Sequence, residues 1–170
     1  MGKLIERKGV EDFLDVAEAI PGLNFIWAGG RPFGPLSDGL FRINHRIARA
    51  TPNVSFTGML GLDVMPLVYA SADMMIFPSY QENCPMAPLE AAACGLPVIF
   101  RDLKEYTLLY KQPYLRAGST EEFIELTQRM AGEPDFLQSG KEMSARLVPQ
   151  FEKDQIREEL IRIYHSLGVN

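Results

Sequence analysis

The run from Asp73 to Ile99 constrains this chain's fold more than any other. Asp73-Met74-Met75-Ile76-Phe77 reads as a buried strand of a parallel sheet. A polar loop around Ser79 to Cys84 follows, then an alanine-rich helix predicted over Met86 to Cys94 and a strand over Pro97 to Phe100. That order puts the loop at the carboxyl end of a strand, where open α/β sheets bind ligands. Pro85 and Pro88 suit a first helical turn, whose backbone N–H groups have no intrahelical partner. Met86 and Ala87 keep their N–H groups there and, with the positive end of the helix dipole, make an anion site suited to a diphosphate. Glu82 in the loop and Glu90 on the helix repel anions but accept hydrogen bonds from hydroxyls, so each is expected to meet a sugar ring on one side of that diphosphate. The pattern suggests a nucleotide-sugar.

The rest of the chain repeats the alternation. Apolar residues at helical spacing from Val10 to Ile20 predict a helix, stopped by Pro21-Gly22. Leu23 to Ala28 is predicted as a strand, Gly29 to Gly39 as a loop, and a helix then runs to about Ala50. Asn53 to Thr57 is a strand, Asp63 to Ser71 a short helix, and a weaker strand lies near Tyr114 to Arg116. Helices over Thr120 to Met130, Asp135 to Leu147 and Lys153 to Leu167 complete the chain. Alternating strands and helices indicate one α/β domain over residues 1–170, a doubly wound, Rossmann-like parallel sheet.

Composition excludes several classes. With 46% hydrophobic and 23% charged residues the chain has the make-up of a globular domain. A net charge of -5 argues against general nucleic-acid binding, which needs a basic surface. No apolar run reaches the roughly 18 to 20 residues that cross a bilayer, and no secretory leader is seen, so a cytoplasmic protein, at most peripheral at the inner membrane face, is expected. Cys84 and Cys94 have no metal or disulfide spacing and are expected to be reduced thiols. His45 and His165 lack metal-ligand neighbours, there is no D-x-D, and no metal or cofactor is expected. Cys84 has no nearby histidine to make it a nucleophile.

Several short pieces stand in a meaningful order: Gly2-Lys3-Leu4-Ile5-Glu6-Arg7-Lys8-Gly9, Ala28-Gly29-Gly30, Val54-Ser55-Phe56-Thr57-Gly58, Ala72-Asp73 through Pro78-Ser79, the Glu82/Glu90 pair, and Gly95-Leu96-Pro97-Val98-Ile99. In that order, from Gly2 to about Leu167, the chain resembles the carboxyl-terminal, donor-binding half of the retaining glycosyltransferases of the GT-B fold, family 4, whose mark is E-x7-E. The resemblance implies that Lys8, helped by Lys3 and Arg7, holds the donor diphosphate and stabilises the departing phosphate. It implies that Glu90 takes the ribose hydroxyls and that Glu82 stands near the transferred sugar and the reacting centre. Met86, Ala87, Asn83, Cys84 and Gly30 complete the implied donor contacts. Glu82-Asn83-Cys84-Pro85 and Phe25-Ile26-Trp27 look most like glycosyltransferases that put glucose on diacylglycerol, which implies a UDP-glucose donor and a membrane surface as partner.

The chain also departs from that family. Lys3 stands where arginine is usual and lacks its bidentate fork, and Pro85 stands where glycine is common, removing one backbone donor. In the family a strand precedes the Gly2-Lys3 position and an amino-terminal acceptor domain belongs to the enzyme, so the chain is expected to be either a fragment or a truncated copy of the domain, with the acceptor domain as its missing partner and the isolated chain inactive.

Each feature has a plainer alternative. E-x7-E is a common spacing on surface helices, the charges of Lys3, Arg7 and Lys8 could be solvated, and Gly29-Gly30 could be a tight turn. Arg42, His45, Arg46 and Arg49 share one helical face, which fits either anionic lipid or a solvated surface. The rival functions are a sugar-nucleotide epimerase and a non-catalytic nucleotide-binding or interaction module.

Overall fold

The computed structural model describes residues 3–30 and 40–168. Met1, Gly2 and residues 31–39, which hold most of the predicted Gly29 to Gly39 loop, lie outside the described residues. The elements run α1 (Val10–Ala19), β1 (Phe25–Ala28), α2 (Leu40–Ala48), β2 (Val54–Gly58), α3 (Met65–Ala70), β3 (Met75–Phe77), α4 (Met86–Ala93), β4 (Val98–Arg101), α5 (Lys104–Leu109), β5 (Leu115–Ala117), α6 (Thr120–Gly132), α7 (Pro134–Ala145) and α8 (Lys153–Ser166). Short 3-10 turns at Glu6–Lys8 and Pro149–Phe151 precede α1 and α8.

All described strand pairs are parallel, as the α/β alternation requires, but they form two groups: β1 with β2, and β3-β4-β5 in that order. Between β1 and β3 lies a slot of about 540 Å³ whose walls include Phe25, Trp27, Met74 and Ile76, with Phe13 of α1 and Lys8 also lining it. Among the described residues no strand pairs with both β1 and β3. β4 is buried along its whole length, which explains its unbroken apolar run before Arg101.

Two apolar clusters hold the domain together. One gathers α1, β1 and α6, with Phe13 edge-on to Phe25 and Trp27 at ring separations of 5.8 and 5.1 Å. The other surrounds Phe100 with Tyr106, Tyr110 and Tyr114 under α4 and β4. Helix α5 was not foreseen: its six residues are too few for periodicity, and it is anchored by the fully buried Tyr106.

Gly9 joins the Glu6–Lys8 turn to α1 with φ 71°, in the left-handed region. A Cβ there would stand 2.2 Å from the Pro78 carbonyl oxygen, so only glycine lets the turn press onto the end of β3. Two arginines of α2 reach the preceding turn and α1: Arg42 pairs with Glu6 and Glu11, and Arg46 with Asp15. Those two arginines tie α2 to the Glu6–Lys8 turn and α1, while His45 and Arg49 of the predicted stripe are exposed. Among the described residues no helix is long and apolar enough to cross a membrane.

Candidate functional site

The site forms where the Glu6–Lys8 turn, the loop after β3 and the start of α4 meet. A backbone bond joins the first two: the Tyr80 N–H donates to the Arg7 carbonyl at 2.8 Å, an oxygen that Ser79 Oγ also approaches at 3.2 Å. Arg7 Nη1 in turn donates to the Gln81 carbonyl at 3.4 Å, so this arginine serves the loop. The Leu4 N–H donates to the Gly30 carbonyl at 3.0 Å, which fixes the segment's other end just past β1. Residues 4–9 therefore cross from the carboxyl end of β1 to that of β3.

Within this frame Lys8 Nζ forms a hydrogen-bonded ion pair with Glu82 Oε1. Both side chains are largely covered, at 16% and 10% exposure, so water screens the pair little. The Ser79 hydroxyl donates to the same carboxylate oxygen at 2.6 Å. Two residues that lie 74 positions apart in sequence, predicted separately to hold a diphosphate and a sugar, are thus partners.

Glu90 is held differently. It sits exposed on α4, and its Oε2 accepts a hydrogen bond of 2.9 Å from the Tyr69 hydroxyl on α3. Burial, then that bond and the Glu90 charge, push the Tyr69 phenol above its usual range, so it stays a donor. The carboxylate keeps acceptor positions open to solvent.

Between the two carboxylates α4 begins at Met86, with Ala87 next. Pro85 is the residue before the helix, extended at ψ 117°, and not part of the first turn as its residue type had suggested. No side chain caps this end and its first turn carries no acid, so the backbone donors of Met86 and Ala87 face no built-in anion. Asn83 and Cys84 are exposed on the preceding loop, and Lys3 is exposed at the start of the described chain. Gly30 is buried, and a Cβ on it would stand 2.9 Å from Met59 Cγ, so its requirement is close packing. Among the described residues no group of histidine, cysteine and acidic side chains could hold a metal ion.

Sequence reasoning missed Tyr69, Ser79 as a carboxylate partner, and a buried Arg101–Asp12 pair beneath the loop. Ser79 already ended the recognisable piece Pro78-Ser79, which was the available signal. Tyr69 lay inside an apolar helical run, with nothing to separate it from core.

Comparison with known proteins gives these features a context. The sequence profile of the family described as "Glycosyl transferases group 1" matches residues 1–133. The chain is 32% identical over 165 residues to an alpha-galactosylglucosyldiacylglycerol synthase of Streptococcus pneumoniae, covering 97% of this chain and 44% of that protein. It is 33% identical over 135 residues to a processive diacylglycerol alpha-glucosyltransferase of Acholeplasma laidlawii, covering 78% of this chain and 40% of that protein. It spans less than half the length of these relatives. Among solved structures, Anabaena HepE in complex with UDP-glucose superimposes with a TM-score of 0.82 at 19% identity, over 98% of this chain and 47% of that one. The sucrose-phosphate synthase of Thermosynechococcus elongatus follows at 0.79 and 21% identity, over 99% and 44%. At those identities the likeness shows the GT-B fold alone, while the profile match and the 32% relative carry the family. The chain belongs to the group 1 glycosyl transferases.

Proposed function

We propose that this chain is the donor-binding half of a retaining hexosyltransferase that takes a UDP-sugar, foremost UDP-glucose, and passes the hexose to diacylglycerol at the inner membrane face. The observation that carries the reading is the arrangement of two carboxylates around an uncapped helix start. Glu90 accepts one phenol and remains open, and Glu82 is paired with a lysine that an anion could claim. In this reading uridine ribose hydroxyls donate to Glu90, and the diphosphate sits on the Met86 and Ala87 N–H groups. Lys8 moves from Glu82 to the phosphate oxygens, which frees Glu82 for the sugar and stabilises the charge that grows on the leaving group. Lys3 adds positive potential. No metal is needed, because lysine and backbone donors supply the positive charge. The acceptor hydroxyl attacks on the side the diphosphate leaves, so configuration is retained. The lipid acceptor and the glucose are supported by the names of the two diacylglycerol relatives, one of which also speaks of galactose.

The same reading accounts for the slot between β1 and β3. A parallel strand lying there would leave at its carboxyl end directly into residues 4–9, pass through α1 and return in β1, which is the right-handed crossover expected of parallel sheets. In this reading a further strand fills that slot, and an acceptor domain is the partner of the site.

The test is calorimetry with UDP-glucose, UDP-galactose, UDP and uridine, with and without chelator. Binding that survives chelation and fades from UDP to uridine is expected. An interaction-only module would bind none of them, and loss of binding in chelator would overturn the metal-free mechanism. Measured sugar transfer to diacylglycerol by this chain alone would contradict the need for an acceptor half.

A further inference from the structure

Beneath the loop that carries Glu82 lies a buried ion pair which the donor chemistry does not use. Arg101, the last residue of β4, is 5% exposed, as is Asp12 in the first turn of α1. Arg101 Nη2 stands 2.9 Å from Asp12 Oδ1, in ion-pair contact outside hydrogen-bonding geometry. Its Nε donates to the Pro78 carbonyl at 3.2 Å, and its guanidinium lies 4.1 Å from the centre of the Tyr80 ring. Asp12 Oδ1 also accepts from the Thr120 hydroxyl at 2.7 Å and the Tyr80 hydroxyl at 3.1 Å. Pro78 and Tyr80 flank Ser79, the residue that holds Glu82. Asp12 follows Lys8 by four residues. The pair therefore ties the two backbones that present Lys8 and Glu82, and touches neither side chain.

We propose that Arg101 and Asp12 are positioning residues that set Lys8 against Glu82, and through them the phosphate end of the donor site. Burying two ions costs more solvation than their attraction commonly returns, so apolar residues of the same size would hold the elements together at least as well. What the charges add is direction. The rigid guanidinium fork fixes the Pro78 carbonyl, the Asp12 carboxylate and the Tyr80 ring at set angles, which a methionine or lysine would not do. The ribose end, Tyr69 with Glu90 on α3 and α4, shares none of these bonds. The functional part of the inference rests on the donor reading above.

The experiment uses this chain with Arg101→Met and, in case the lone Asp12 carboxylate prevents folding, the charge-free double variant Arg101→Met with Asp12→Asn. Folding is checked by circular dichroism. The first measurement is the acylation rate of Lys8 by a water-soluble ester, relative to Lys141 on α7 and resolved by peptide mass spectrometry. The second is the ratio of UDP to uridine affinity. Acylation of Lys8 about threefold faster or more is expected, with the UDP-to-uridine ratio down about fivefold and uridine itself unchanged. Arg101→Lys, which keeps the charge without the fork, should fall between. A folded variant whose Lys8 reacts at the wild-type rate overturns the positioning role, and so does an equal loss of uridine and UDP. Faster acylation in a protein whose wild type binds neither ligand upholds the positioning and removes the donor reading.

Discussion

Glu82 and Glu90 belong to one loop-helix unit, yet the protein treats them oppositely. Glu82 is covered, accepts a serine hydroxyl and faces a lysine, so its charge is answered within the protein. Glu90 is exposed and accepts one neutral phenol. The difference teaches that the two ends of the proposed donor site are prepared in different ways. In that proposal the ribose end offers open acceptor positions on a helix, whereas the phosphate end has its cation paired with a carboxylate that an anion would displace.

Four outcomes would sharpen or break this contrast. Lys8→Ala has the largest effect: it removes a charge-assisted contact worth roughly 1.5–3 kcal/mol, so UDP affinity should fall about tenfold or more while uridine is unaffected. Calorimetry with both ligands reads this, and unchanged UDP binding in folded protein would place the diphosphate elsewhere. Glu90→Ala should weaken UDP and uridine alike, about fivefold, because the ribose is common to both. A loss confined to UDP would mean that the ends have been assigned the wrong way round. Glu82→Gln should strengthen UDP by about threefold, since it leaves Lys8 without a competing carboxylate, while weakening UDP-glucose relative to UDP. Weaker UDP binding in this variant would show that the ion pair prepares Lys8 instead of occupying it. Tyr69→Phe comes last, with a loss of about two- to threefold for uridine and UDP, because it removes one neutral bond that orients Glu90. Since the Tyr69 phenol is raised above its usual range, the tyrosine lost in Tyr69→Phe should ionise above the ordinary phenol range of about pH 10 in a difference titration against the wild type. A lost phenol that titrates at about pH 10 would show an ordinary tyrosine and no hold on Glu90.

Much of this was legible in the sequence because it is local. β4 is continuous and apolar because both its faces are buried, and α1 repeats its apolar residues because one face is. The Glu82/Glu90 spacing and the helix start at Met86 lie within a short stretch and could be read directly. The partners could not. Tyr69 reaches Glu90 across 21 residues and Lys8 reaches Glu82 across 74, and nothing in either neighbourhood specifies the other. Arg101 fell just past the predicted end of a strand at Phe100, although the fold includes it in β4 and turns it inward onto Pro78 and Asp12. The grouping of the strands was equally hidden, because periodicity reports which faces are buried and not which edges are joined.

The slot between β1 and β3 has a practical consequence. Two parallel edges with apolar walls make a template for any extended segment of suitable side chains, whatever its source. The expectation is β-strand complementation. A strand-forming peptide supplied in solution should raise its melting temperature and suppress self-association at high concentration. Expressed beside a separate polypeptide bearing such a strand, it would behave as one part of a split protein whose reassembly can be followed by the return of that stability.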